Sequence, residues 1–541
     1  MAFEVREHDL AGRVGRLKTR SGMIETPALL PVINPRVQPI APREMREKFK
    51  LKAVITNAYI LMKNFSEHVI KEGVHRFLDF DGVVMTDSGA YQLLVYGEID
   101  ATPREVVEFQ ERIGSDIATI LDVPTGWNVS RRRAEETVET TIKRAEELFQ
   151  YKSREDVLWV GPIQGGLYLD LVEESARRMS ALPFQIYALG SPTALMENYL
   201  FTDLVDMIVS ARRHIPESLP FHLFGAGHPF MLALAVALGC DLFDSAAYAI
   251  FAREGRYMTD WGTMRIEDLR WLPCSCPVCA ESTPRELLEL PEDERFKALA
   301  RHNLYMCLAE IKRIRQSIRE GRLWEHLEVK ARSHPSLLSA LKRLKRYVRY
   351  LEERSPVTKR RGLFFFDSSG LFRPEVYRYK ERLFERFRLE GKKVLILLPK
   401  PSSKQFFTSH EYRELKNLAS KVLGGEAESI HICLYDAPFG VIPIELEGTY
   451  PLAQYVTAKP LDRETVDFVV DIIERYLREN DYKVALLVES DGELKERLAE
   501  VFEEVCKRKG VFYERLTNDE FWGRENLKRI FKAINEKLKR A

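Results

Sequence analysis

Acidic and amide side chains recur in this chain where short apolar runs stop. Asp87 closes Met85-Thr86-Asp87, Asp122 follows Leu121, Gln164 precedes Gly165-Gly166, and Asp244 follows Leu242-Phe243. Two carboxylates facing each other across an anomeric carbon can break a glycosidic bond, one attacking the sugar carbon while the other handles the leaving group's proton. A third carboxylate and a primary amide can bracket a flat, purine-like ring, because an aspartate accepts hydrogen bonds while a glutamine both donates and accepts. Gly190 repeats the placement, and backbone beside a glycine can approach a planar ligand closely. Tyr91 and Phe224 are candidates to stack on such a ring, with packing inside the fold an equal alternative for Phe224.

A second cluster has a different chemistry. Cys274, Cys276 and Cys279 form C-x-C-x2-C, and His302 follows on the next helical segment. Three thiolates and one imidazole match the tetrahedral ligand set that zinc prefers, and the spacing reads as one structural Zn2+ site. The alternatives are three unrelated buried cysteines or a disulfide, and three cysteines cannot pair off among themselves.

The elements that must position these residues alternate. Apolar, β-branched runs at 27–33, 53–57, 82–87, 116–122, 158–164, 186–190, 221–225 and 241–244 are separated by helix-patterned stretches, among them 103–114, 130–151, 169–180, 193–214 and 229–238. Eight such β/α units predict a (β/α)8 barrel. Asp87, Asp122, Gln164, Gly190 and Asp244 then all fall at C-terminal strand ends, the rim on which barrel active sites are built. A single strand-end aspartate is as well explained as a helix cap or turn residue. Five repeats of the placement are not.

At these residues the sequence resembles the tRNA-guanine transglycosylases, in particular their archaeal, 7-cyano-7-deazaguanine tRNA-ribosyltransferase branch. The matching motifs are Thr86-Asp87-Ser88-Gly89, Gln164-Gly165-Gly166, Phe243-Asp244-Ser245, Arg256-Tyr257-Met258-Thr259 and the cysteine cluster with His302. The resemblance covers about the first 350 residues. The resemblance implies a TIM-like barrel with a zinc-binding subdomain. It implies an enzyme that exchanges guanine 15 of the tRNA D-arm for preQ0 (7-cyano-7-deazaguanine) through a covalent ribosyl-enzyme intermediate, an early step toward archaeosine. Carried onto this chain, it makes Asp87 and Asp244 catalytic, with Asp244 the nucleophile and Asp87 the acid/base, although the reverse assignment stays open. Asp122, Gln164 and the Gly190-Ser191 backbone hold the base, with Ser88, Tyr91 and Phe224 around it. Ala90-Tyr91 stands where the bacterial branch has glycine-phenylalanine. The resemblance also implies a homodimer. A noncatalytic tRNA-binding paralogue and a barrel glycoside hydrolase are the competing readings; the first has no need of both acids, and the second gives no reason for the zinc cluster.

Composition limits the partners. Lys+Arg 82 against Asp+Glu 81 leaves a net charge of +1, so a surface for tRNA must come from local clustering. One such cluster runs from Lys342 to Arg361; a phosphate-contacting face and a solvated helix with its linker explain it equally well. Seven cysteines with no disulfide-like framework, no charged-then-apolar N-terminal segment and no apolar run of about 18 residues predict a cytoplasmic chain that engages no membrane.

The 541 residues exceed one core. The expected division is a catalytic barrel at 1–270, a zinc-binding subdomain with a basic helix at 271–355, a C-terminal α/β domain at 356–510 and a small basic helical segment at 511–541. Ser355-Pro356 marks the turn into the C-terminal part. That part resembles the core domain shared by archaeal transglycosylases and archaeosine synthase at Ala437-Pro438-Phe439-Gly440-Val441-Ile442-Pro443. The synthase's cysteine after the strand proline is missing beyond Pro399, which favours a binding or spacer role over a second activity.

Overall fold

The structure, a computed structural model, describes residues 2–90, 101–401 and 405–540. It divides into two compact units, Met1–Tyr347 with Arg354–Pro356, and Val348–Glu353 with Val357–Ala541.

The first unit is built on a closed barrel of parallel strands: β4 (Ala28–Ile33), β5 (Ala53–Asn57), β6 (Val83–Asp87), β7 (Ile117–Thr119), β8 (Leu158–Ile163), β9 (Ile186–Leu189), β10 (Phe221–Leu223) and β11 (Leu242–Ser245). Between them run helices α1 (Pro42–Glu47), α2 (Ala58–Glu72), α3 (Pro103–Arg112), α4 (Arg131–Tyr151), α5 (Leu169–Ser180), α6 (Phe201–Arg212) and α7 (Pro229–Ala237). The (β/α)8 expectation is met strand for strand. Ala28, Leu30, Ile55, Met85, Ile117, Val160, Ile186, Ala188 and Leu242 share one apolar cluster inside the barrel, so the interior is a packed core. β11 closes the ring on β4, with Asp244 in register with Leu30.

Three departures from the expected elements have local causes. Ahead of the barrel lies a three-stranded antiparallel sheet, β1 (Phe3–Asp9), β2 (Gly12–Lys18) and β3 (Met23–Thr26), which charged residues hide from an apolar-run reading. The helix expected over 193–214 is broken, because Asn198 ends a short Thr193–Glu197 helix and Tyr199 takes φ 56° before α6 begins. Strand pairing of β7 stops at Thr119, and a tight turn with Asp122 N–H donating to Ile120 O (3.0 Å) carries the chain to Asp122.

After the barrel, the hairpin β12 (Arg256–Met258) and β13 (Thr263–Arg265) leads to the cysteine cluster and to the 29-residue helix α8 (Glu292–Glu320), which ends on Gly321 in the left-handed region. In the second unit, β14 (Leu363–Phe365) pairs with β18 (Tyr455–Thr457), and a mixed sheet runs β17 (Gly440–Pro443), β16 (Ile430–Asp436), β15 (Val394–Pro399), β19 (Val484–Glu489), β20 (Phe512–Thr517). The core of this unit takes in Leu527, Ile530, Phe531 and Ile534 of its last helix, α9 (Arg524–Arg540). No helix among the described residues is long and apolar enough to cross a membrane.

Candidate active site and metal centre

β5 and β6 end together, with Asn57 and Asp87 in register. The Asn57 side chain serves two elements. Its Oδ1 accepts from Ile60 N–H (2.9 Å) as the N-cap of α2, and its Nδ2 is thereby aimed at Asp87 Oδ2 (3.2 Å). The same Asp87 oxygen accepts from Gly89 N–H at 3.3 Å. Beneath the acid, the Thr86 hydroxyl donates to Gln110 Oε1 (2.7 Å), which ties β6 to α3. Ser88 is fully buried and its Oγ accepts from Ala90 N–H (3.3 Å), so this hydroxyl shapes the turn that carries Asp87. Tyr91 lies outside the described residues.

Burial pushes the Asp87 carboxyl up to about 7, and the charges of Asp122 and Asp244 add to the rise. The carboxylates of the β7 turn and of β11 thus both act on the one that ends β6.

Asp122 is pushed up to about 6 by its own burial, against the hydrogen bond from Gln164 and the charge of Arg144. Gln164 Nε2 donates to Asp122 Oδ2 at 2.6 Å, while its Oε1 accepts from Thr125 N–H (2.8 Å) and from Ser191 Oγ (3.2 Å). The buried amide is therefore committed on both ends and fixes the Asp122 carboxylate in one orientation. Gly190 makes this possible. A Cβ there would lie 2.2 Å from Gln164 Nε2, so only glycine lets the amide pass. Ser191 follows with φ 60°, a left-handed conformation that turns its hydroxyl back to Gln164.

Asp244 stands on β11, where its Oδ1 accepts from Gly225 N–H (3.0 Å) and from His222 Nε2 (2.8 Å). Phe224 is partly buried against the barrel cluster and packs its ring 4.7 Å from that of His222. Both contacts belong to the packing reading of Phe224. Asn57, Thr125 and His222 escaped the sequence reading. Asn57 obeys the strand-end rule and was there to be found; Thr125 sits in a loop, and His222 in the middle of an apolar strand, without a signal.

Cys274, Cys276, Cys279 and His302 converge, their four ligand atoms lying within 4.8 Å of one another. Cys276 Sγ lies 3.6 Å from Cys279 Sγ, and His302 Nδ1 lies 3.3 Å from Cys279 Sγ and 3.6 Å from Cys276 Sγ. Tetrahedral zinc with bonds of about 2.3 Å to sulfur and about 2.0 Å to nitrogen needs edges of about 3.5 to 3.8 Å, so the donor set fits. His302 Nε2 donates to Met258 O (2.8 Å), leaving Nδ1 as the ligand nitrogen, and Tyr257 stacks on the imidazole at 3.6 Å. Four protein ligands leave no open position, so a metal here would pin α8 to the cysteine loop and supply no chemistry to the carboxylates.

A model of the family described as queuine tRNA-ribosyltransferase matches residues 9–336, well over half the chain. This chain belongs to the queuine tRNA-ribosyltransferase family. Among curated relatives of this chain, a protein of Aeropyrum pernix is 47% identical over 462 residues, covering 84% of this chain and 87% of its own. One from Saccharolobus solfataricus is 43% identical, covering 90% and 96%, and one from Methanocaldococcus jannaschii 41%, covering 89% and 73%. All three carry the name tRNA-guanine(15) transglycosylase. A second model, described only as a domain of unknown function, matches residues 376–534 in the C-terminal unit of this family member.

The basic stretch of the chain is partly spent on structure. Arg343 is bound to Asp206 (2.9 and 2.6 Å) and Arg354 to Glu217 (2.9 Å) in the first unit, and Lys359 to Glu375 (2.6 Å) in the second. Lys342, Lys345 and Arg346 remain exposed.

Proposed function

We propose that this chain exchanges guanine 15 in the D-arm of tRNA for preQ0, the step that leads toward archaeosine. One observation carries the reading. The Asp87 carboxyl is raised to about 7 by burial and by two facing carboxylates, so near neutral pH it can both give and take a proton.

In the forward half, Asp244 attacks C1′ as the C1′–N9 bond breaks, and guanine leaves with the electron pair and a proton from Asp87. In the second half, preQ0 gives its N9 proton to the Asp87 carboxylate and attacks C1′, and the bond from C1′ to Asp244 breaks. The enzyme returns to its starting state. Asp122, oriented by Gln164, accepts from the N–H groups of the base, with Ser88, the Gly190-Ser191 backbone, Tyr91 and Phe224 forming the rest of the pocket. The target base must leave its stack before any of this, at a cost of a few kcal/mol.

The metal is read as one structural Zn2+ per chain, on the fit of three thiolates and one imidazole. Residues 1–270 would then carry the chemistry, 271–355 the zinc and the exposed Lys342, Lys345 and Arg346, and 356–510 with 511–541 a binding role. The active form is read as a cytoplasmic homodimer, which light scattering on the purified protein tests.

Incubation with unmodified tRNA and radiolabelled guanine decides among the activities. Incorporation supports exchange, release of guanine without incorporation makes the protein a hydrolase, and retention of tRNA without either makes it a binder. Asp244→Ala is expected to abolish a denaturation-resistant RNA–protein adduct; normal adduct formation by that variant removes Asp244 as nucleophile and moves the role to Asp87.

A further inference from the structure

We propose that His222 is a positioning residue for the nucleophile, holding Asp244 Oδ1 so that Oδ2 is the oxygen that bonds to C1′. The proposal rests on the reading of Asp244 given above and deepens it.

His222 sits in the middle of β10, in register with Ala188 of β9 on one side and Leu242 of β11 on the other. Both neighbours belong to the apolar cluster that fills the barrel. An imidazole with 0% exposure in that layer is unfavourable unless a hydrogen bond compensates it. Among the described residues His222 has one such bond, from Nε2 to Asp244 Oδ1 at 2.8 Å, and its Nδ1 has no partner there. An ionised carboxylate only accepts, so Nε2 is the donor and the tautomer follows. A residue kept for barrel stability would be aliphatic there, as Ala188 and Leu242 are.

The geometry at Asp244 is one-sided. Oδ1 takes two donors, His222 Nε2 and Gly225 N–H, whereas Oδ2 has none among the described residues. The terminal torsion of an aspartate is broad and two-fold, so an unpinned carboxylate exchanges its oxygens and spreads its aim. Two donors on one oxygen remove that freedom. Phe224, just past the end of β10, packs 4.7 Å from the imidazole and holds the ring in place. In the reaction, a lone pair on Oδ2 forms the C1′–O bond while the electrons of the C1′–N9 bond leave with guanine, and His222 keeps its proton throughout.

The test compares His222→Leu with His222→Gln in the full-length protein. Leucine fills the apolar layer and removes the donor, and the glutamine amide nitrogen reaches about as far as Nε2. The expected result for His222→Leu is a fall in kcat and in the single-turnover rate of adduct formation of about 10- to 100-fold, the scale on which misplacing a reacting group acts. KM for tRNA and for guanine should stay put, since a fully buried ring touches neither, and thermal stability should hold or rise. His222→Gln should recover most of the rate. A His222→Leu enzyme that forms adduct at the wild-type rate, beside an Asp244→Ala enzyme that forms none, overturns the role of His222 and leaves the nucleophile in place. Loss of rate in parallel with loss of stability, without recovery in His222→Gln, also overturns it. An Asp244→Ala enzyme that still forms adduct removes the nucleophile reading, and this proposal with it.

Discussion

Asp87→Asn is predicted to make the protein more stable, and more so as pH rises. The Asp87 carboxyl moves from 3.8 to about 7 on folding because it is buried beside Asp122 and Asp244. A carboxyl whose folded value lies above its unfolded one binds its proton more tightly in the native state, so its contribution to stability is full below 3.8 and is lost as pH climbs through about 7. At about 1.4 kcal/mol per unit the whole shift corresponds to about 4 kcal/mol. The side chain is only partly buried at the barrel mouth, and screening by water there brings this to about 2 kcal/mol. Asparagine keeps the acceptor that Gly89 N–H uses and removes the charge. Between pH 5.5 and 8.5 the advantage of the variant should therefore widen by about 1 kcal/mol, or about 2 °C in Tm for a unit of this size. The assay is thermal unfolding of wild-type and variant protein across that range, with exchange activity measured alongside and expected to be lost. An advantage that is constant with pH, or that narrows toward pH 8.5, refutes the reasoning, because it would mean Asp87 ionises as freely in the fold as outside it.

Other changes have equally direct outcomes. Gly190→Ala would put a methyl group 2.2 Å from Gln164 Nε2, so the amide must abandon Asp122 and Thr125; the KM for guanine should rise about 10- to 100-fold in steady-state exchange. The same variant should lift the Asp122 carboxyl further above about 6, since the Gln164 hydrogen bond now holds it down, and carboxylate titration by NMR would register the change. Chelation, or Cys279→Ser, should lower Tm by several degrees and expose Cys274 and Cys276 to thiol reagents, with the displaced zinc measured by a colorimetric chelator. Reversing the charges of Lys345 and Arg346 together should weaken tRNA binding and lower the slope of log K against log salt by about 2 units if both meet phosphates. An unchanged slope returns that helix to a solvated face.

The barrel was legible because each of its strands is a short apolar run and each chemical residue sits where a run ends. Asp87, Asp122, Gln164 and Asp244 could be placed on one rim before any coordinates, since a closed parallel barrel has one C-terminal face. The cysteine spacing was legible for a similar reason: the candidate ligand set is local in sequence except for His302. What could not be read depends on contacts between distant segments. β1 and β20 carry FEVREHD and FYERLT, charged enough to read as loops, and they become strands because a neighbour offers a free edge. His222 is invisible for the opposite reason, as a polar residue inside an apolar run, and only the register of β10 against β11 brings it to Asp244. Asn57 extends the strand-end rule to an asparagine, in register with Asp87.

β11, the strand that bears Asp244, pairs with β4, more than 200 residues earlier in the chain, and is the final stave of the barrel. A ribosome therefore releases every other acid of the mouth before the one assigned to attack the sugar. Until that last stave docks beside the first, a nascent chain holds Asp87 and Asp122 without the proposed nucleophile, so on that reading RNA emerging in the same crowded space meets an inert half-barrel. Competence and closure arrive in a single event.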